Sequence, residues 1–157
     1  MRTLTTPFAR SLITSAALAA MLAPATLLAD QGVAPERKST PIKVLGTWRG
    51  KIGDNTLRAV VPNNGVVAKQ EEWSKLWKSW RGREERPEVD FDKELVLVVT
   101  VDGPNNVMFG PELDKKGNIE VIAASTLMAG PGFGYLILQI PRKGIKSVNG
   151  KPLPQAE

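Results

Sequence analysis

"QEEWSKLWKSW", residues 70–80, places Trp73, Leu76, Trp77 and Trp80 at i, i+3, i+4 and i+7. Those positions share one face of an α-helix. Glu71, Glu72, Lys75 and Lys78 take the opposite face, with the acids in the first turn and the bases later, as the helix dipole favours. Glu71 and Lys75 stand four apart, at pairing distance. Gly82 supplies a stop. The spacing predicts a helix over about 70–81 whose tryptophan face needs a cover, and this decides the fold class.

On either side the period changes to two. "LVLVVTV", 95–101, is a short, continuous, valine-rich run, the mark of a central strand covered on both faces. Upstream, "IKVLGTWRGKI" (42–52) reads as strand-like stretches broken by Gly46 and Gly50, and "TLRAVVP" (56–62) and "VVAK" (66–69) as short strands between the turns "GDN" and "NNG". Downstream, "VMFGPEL" (107–113) is a weaker strand interrupted by Gly110 and Pro111, and "IEVIAAS" (119–125) another strand. "YLILQI" (135–140) is a strand stopped by Pro141, and "SVNGKPL" (147–153) carries the Asn-Gly pair of a tight hairpin. One helix among six to eight strands with short turns predicts an α+β domain, mainly antiparallel β-sheet with one amphipathic helix packed against it.

The chain has 157 residues, 42% hydrophobic and 24% charged, which fits a single globular domain. Its first 29 residues are of a different kind. "MRTLTTPFAR" carries Arg2 and Arg10 and no acid, and "SLITSAALAAMLAPATLLA" is uncharged, apolar and ends in small residues, the layout of a secretory signal peptide. Cleavage after Ala29 or after Ala25 fits, with Ala29 preferred. The expected organisation is a signal peptide over 1–29, a polar flexible leader over 30–41 with two prolines, and one α+β domain over 42–157. The mature chain is expected to be periplasmic or secreted, with no stable membrane insertion after cleavage.

Composition excludes much chemistry. The sequence has no histidine and no cysteine, so Ser-His-Asp triads, Cys-His dyads, disulfides, a lipid-bearing cysteine and histidine- or cysteine-ligated zinc are ruled out. The formal net charge of +5 falls to +3 without Arg2 and Arg10. The bases are interleaved with acids, as in "KQEEWSKLWKSWRGREERPEVD", so no nucleic-acid footprint is expected.

The glycine-rich "AGPGFGYLILQIPR", 129–142, does not fit a ligand-gripping loop. Gly130, Gly132 and Gly134 alternate, Tyr135 occupies the place a later glycine would need, and a strand follows instead of a helix, against a dinucleotide fingerprint. A phosphate loop lacks its Gly-Lys-Ser/Thr. The carboxylate loop and "VNG" turn of PDZ domains are too close together here. Asp102, Asn105 and Asn106, or Asp114 and Asn118, supply oxygens without a calcium-loop pattern. No cofactor, metal or catalytic set is expected. Pro131 and the glycines supply turn geometry into the strand, and Pro131, Phe133 and Tyr135 are the candidate partner contacts, with Phe133 at the tip the first of them. Asp90 in "PEVDFDKE" is either a functional carboxylate or a turn cap, the latter favoured. The helix tryptophans serve as core or as a binding stripe, with core favoured.

"EEWSKLWKSW", "PEVDFDKELVLVVTVDG" and "PGFGYLILQIPRKG" together resemble the C-terminal domain of the protease-complex subunit PrcB family, over about residues 67–144. The helix with Pro87, Val89, Asp90 and Phe91 carries most of the resemblance. Two departures stand out: "DGPNNVMFG" replaces the family's "tgGY" turn, and the tail "IKSVNGKPLPQAE" runs past the pattern. The resemblance implies an exported, non-catalytic domain that binds a protein partner, as an accessory or modulating subunit of an extracytoplasmic protease complex, and it carries over no catalytic residues. The alternatives from the residues themselves are a cell-envelope or carbohydrate-binding module using Trp48 or the helix tryptophans, and a hydrolase using carboxylates alone, for which no motif positions an acid pair.

Overall fold

The computed structural model describes residues 39–154; the expected signal peptide (1–29), most of the expected leader and the last three residues fall outside them. A four-stranded antiparallel sheet forms the middle layer. Its strands are β2 (Gly46–Ile52), β3 (Val66–Val67), β4 (Glu94–Asp102) and β9 (Phe133–Pro141), in the order β2-β9-β4-β3. The inner pair, β4 and β9, is aligned from Glu94↔Pro141 to Asp102↔Phe133. Both inner strands are apolar without alternation because both of their faces are covered.

One cover is α1 (Gln70–Arg81), the predicted helix, ended by Gly82 at φ 63°. Trp73, Leu76, Trp77 and Trp80 pack on Val96 and Val98 of β4 and on Phe133, Tyr135 and Ile137 of β9. The other cover consists of seven two-residue strands: β1 (Thr40–Pro41), β5 (Val107–Met108), β6 (Glu112–Leu113), β7 (Asn118–Ile119), β8 (Ala124–Ser125), β10 (Ser147–Val148) and β11 (Lys151–Pro152). They form a five-stranded sheet, β1-β6-β7-β10-β11, and a separate β5–β8 ribbon. Val107, Ile119, Ile145 and Val148 from this layer close over Leu95, Leu97, Leu136, Leu138 and Ile140. β7 and β10 run parallel; the remaining pairs are antiparallel. The molecule is thus α+β, with one helix on a mainly antiparallel framework.

Several local expectations are corrected. β2 starts at Gly46, with 42–45 outside it, and runs unbroken through Gly50, and its glycines make room for neighbouring rings. A Cβ at Gly50 would lie 2.4 Å from the Tyr135 hydroxyl, and one at Gly46 2.5 Å from the Trp48 ring. "TLRAVVP" is mostly a 3-10 helix (Asn55–Val60), not a strand: the Asp54 carboxylate accepts from the Thr56 N–H and hydroxyl at 2.9 and 2.7 Å and starts the turn. Its half-buried Leu57, Val60 and Val61 face the helix layer at i, i+3 and i+4. "IEVIAAS" splits into β7 and β8, since the Val121 N–H donates to the Asn149 side chain (2.8 Å) instead of to a strand. Eleven strands therefore stand among the described residues, more and shorter than expected. β9 also begins two residues early and includes Pro141 as its last residue. The Asn149-Gly150 hairpin is as predicted, with φ 51° and 73°.

Candidate functional site

The helix tryptophans are structural. Each buries its ring and satisfies its indole N–H on a main-chain carbonyl: Trp73 on Pro87 (3.0 Å), Trp77 on Glu84 (2.9 Å) and Trp80 on Leu57 (2.9 Å). The first two bonds fasten the charged loop after the helix, and the third fastens the 3-10 helix. Half-buried Trp48 joins them, 5.9 Å from Trp73 and 5.6 Å from Trp77 between ring centroids. The helix stripe is therefore not open to a sugar or a peptide.

Asp90 is a turn cap. Its carboxylate accepts from the Asp92 N–H (3.2 Å) and pairs with Lys93 (2.6 Å), while its carbonyl takes the N–H groups of Lys93 and Glu94 at the start of β4. The Lys93 hydrogen bond holds its pKa below the ordinary carboxylate value. Asp114 behaves alike. Its carboxylate accepts from the N–H groups of Asn118 and Lys116, both at 2.8 Å, and the Asn118 bond leads in lowering its pKa. A groove of about 820 Å³ lies beside it, lined by Phe109, Gly110, Glu112, Asp114, Lys116 and Ile122 among others. Two of its acids already have local roles: Glu112 accepts from Ser39, and Asp114 closes its turn. Among the described residues no group of three or more metal-ligating side chains converges, and no helix is long and apolar enough to cross a membrane.

Of the three residues singled out for partner contact, only Pro131 is exposed. Phe133 has 0% of its surface accessible and Tyr135 3%, so neither stands at a loop tip. Phe133 is the first residue of β9 and points into the helix layer, 5.2 Å from the Trp80 ring, with the Arg58 guanidinium 5.0 Å over its face. Tyr135 lies 4.8 Å from Trp80, and its hydroxyl accepts from Arg81 at 3.0 Å. The glycines before and between them permit close main-chain approach. A Cβ at Gly132 would fall 1.9 Å from the Ile52 carbonyl oxygen, and one at Gly134 1.8 Å from that of Asn105.

The accessible apolar surface lies one loop earlier. Four of the five exposed large hydrophobic residues are Met108, Ile122, Leu127 and Met128, with Leu127 98% exposed. Met108 pairs with Ala124 across the β5–β8 ribbon, and the Asn106–Thr126 bonds continue that pairing toward Leu127. The loop bearing Leu127 is clamped by Asn105, the one buried polar side chain among the described residues at 6% exposure. Its amide nitrogen donates to the carbonyls of Asp102 (2.7 Å) and Met128 (3.1 Å). Its amide oxygen accepts from the Thr126 hydroxyl (2.9 Å) and the Met128 N–H (2.6 Å). All four bonding positions of the amide are used. The result is a protruding leucine on a pre-set backbone, with methionines on either side in sequence or along the ribbon. No periodicity marks "TLMAG" as exposed; the asparagine in "DGPNN" was the only local clue, and it reads equally well as an ordinary turn residue. Comparison of the chain with protein-family models, with curated proteins and with solved structures returns no match.

Proposed function

We propose that this chain is an exported, non-catalytic domain that binds another protein, serving as an accessory or modulating subunit of a secreted protease complex. The observation that carries the binding role is Leu127, an almost fully exposed leucine on a loop that Asn105 holds by four hydrogen bonds. An exposed apolar patch is a common mark of a binding surface. Covering one leucine side chain stabilises a complex by about 2 kcal/mol, and a loop already ordered loses little conformational entropy when it docks. The resemblance to the PrcB family supports an extracytoplasmic protease as the partner. The contact surface uses the 102–110 segment, where the chain departs from that family's pattern, so its side chains are this chain's own. The signal-like N-terminus supports export.

The test is a photocrosslinking residue at Pro131 of the full-length chain, activated in the cells that produce it. Mass spectrometry of the adduct is expected to identify an extracytoplasmic protease, and Leu127→Asp is expected to abolish the adduct. An adduct with lipid or polysaccharide, the absence of any adduct, or one unaffected by Leu127→Asp overturns the proposal. N-terminal sequencing of the extracytoplasmic fraction checks export, with Asp30 or Thr26 expected as the first residue.

A further inference from the structure

The outer edge of β2 is the longest unpaired strand edge of the middle sheet; the opposite edge, β3, is two residues long. Which of its main-chain groups point outward follows from the register. The Gly103 N–H donates to the Gly132 carbonyl (2.9 Å) and the Arg142 N–H to that of Lys93 (2.8 Å), so the even-numbered residues of β9 bond toward β4. Phe133, Tyr135, Ile137 and Gln139 therefore bond toward β2, opposite Ile52, Gly50, Trp48 and Gly46. Thr47, Arg49 and Lys51 are left with their N–H and C=O groups turned away from the sheet. One of these groups is engaged: the Arg49 carbonyl accepts from Arg81 Nη1 at 3.2 Å. The others find no partner among the described residues.

The charged side chains along this edge are all basic. Lys43, Leu45, Thr47, Arg49 and Lys51 are all exposed and recur with a period of two, and the segment 42–52 contains no acid. Arg49 and Lys51 make no ion pair with a described residue. A groove of about 500 Å³ lies beside them, bordered by Asn106, Val107 and Met108 of the apolar surface and by Gly50 and Tyr135.

We propose that the β2 edge binds an extended, acidic segment of a partner protein as an added fifth strand. Strand addition satisfies the outward main-chain groups, and acidic side chains at alternate positions meet Arg49 and Lys51, with smaller apolar ones available to the neighbouring groove. Charge decides between this occupant and a second copy of the chain. Pairing two β2 edges antiparallel about Arg49 sets Arg49 opposite Arg49, with Lys51 opposite Thr47, and the like-charged pair is destabilising; the same charges that turn away a like edge favour an acidic strand. The inference rests on the protein-binding reading above but assigns it a second surface and a partner chemistry.

The probe is a fluorescein-labelled heptapeptide alternating glutamate and threonine, titrated with the exported chain at low salt and followed by fluorescence anisotropy. Saturable binding is expected, about tenfold weaker with the double variant Arg49→Glu and Lys51→Glu and with a lysine-threonine peptide. Main-chain pairing is read by two further measurements. Binding is expected to slow amide exchange at Thr47, Arg49 or Lys51, and a peptide of the same charge with alternate nitrogens methylated is expected not to bind. Absence of binding, equal binding of the methylated peptide, or indifference to the charge reversal overturns the proposal. Concentration-dependent dimerisation lost in the Arg49→Glu and Lys51→Glu variant would also overturn it, by assigning the edge to a second copy. Leu127→Asp leaves peptide binding unchanged, so failure at this edge and failure of the Leu127 contact are told apart.

Discussion

Replacing Asn105 with alanine removes the donor and acceptor that tie Asp102, Thr126 and Met128 together. A typical intramolecular hydrogen bond contributes about 1 kcal/mol net, and a buried group left unpaired costs about 1–3 kcal/mol. Met128 is half-exposed, so water replaces part of what its main chain loses. The expected cost is about 2–4 kcal/mol. For a domain of this size that lowers the thermal midpoint by roughly 8–16 °C. Urea denaturation gives the free energy, and amide exchange at Met128 gives the local effect, expected to accelerate beyond the global change. Asn105→Asp separates donor from acceptor. It keeps the shape but sets a buried carboxylate against two carbonyl oxygens, so it is destabilising at neutral pH and recovers as acid protonates the group and restores a donor. An alanine variant that loses less than about 1 kcal/mol, or that leaves Met128 exchange unchanged, refutes the clamp.

Gly134→Ala forces a methyl group to within 1.8 Å of the Asn105 carbonyl oxygen and is expected to cost about 3 kcal/mol in urea denaturation, whereas Gly110→Ala, which meets nothing within 4 Å, changes stability by less than about 0.5 kcal/mol. Trp80→Phe loses the indole bond to Leu57 and part of the contact with Phe133 and Tyr135; a loss of about 1–3 kcal/mol is expected, with faster proteolysis at 55–60 than elsewhere. Asp114→Asn tests acid sensitivity. The folded-state pKa of Asp114 is lowered by its main-chain bonds, so its contribution is present above the ordinary carboxylate pKa of about 4 and is lost as pH falls through the lowered value. The difference in thermal midpoint between wild type and variant is expected to shrink in that acid window and to stay constant from pH 5 to 8.

The helix was legible because four apolar positions and two flanking charge patterns agree within one short segment. β4 and most of β9 were legible because strands covered on both faces spell themselves as apolar runs. What escaped depends on partners distant in the chain. Gly50 looks like a strand breaker until Tyr135 is seen to need its space. Phe133 looks like a loop tip because the glycines beside it suggest a turn, whereas Gly132 and Gly134 allow β9 to start early against Ile52 and Asn105. The 3-10 helix carried a faint signal in the spacing of Leu57, Val60 and Val61, overshadowed by the β-branched run that ends it. Leu127 carried none, because exposure is decided by what the rest of the chain leaves uncovered, and its clamp reaches across 23 residues from Asn105 to Met128.

The order of strands in the middle sheet also sets when this protein can fold. β9 lies between β2 and β4 in space but follows both in the chain. Until Phe133–Pro141 has been synthesised, β2 and β4 have no common neighbour. The tryptophan layer then lacks Phe133, Tyr135 and Ile137, and the opposite layer lacks Leu136, Leu138 and Ile140. One late segment thus supplies a share of both halves of the core at once, and contacts of such long sequence separation form slowly. A chain that ends before Phe133 therefore leaves apolar faces unfinished on both sides of the sheet, and the residues that follow β9 add only Ile145 and Val148 to the buried core.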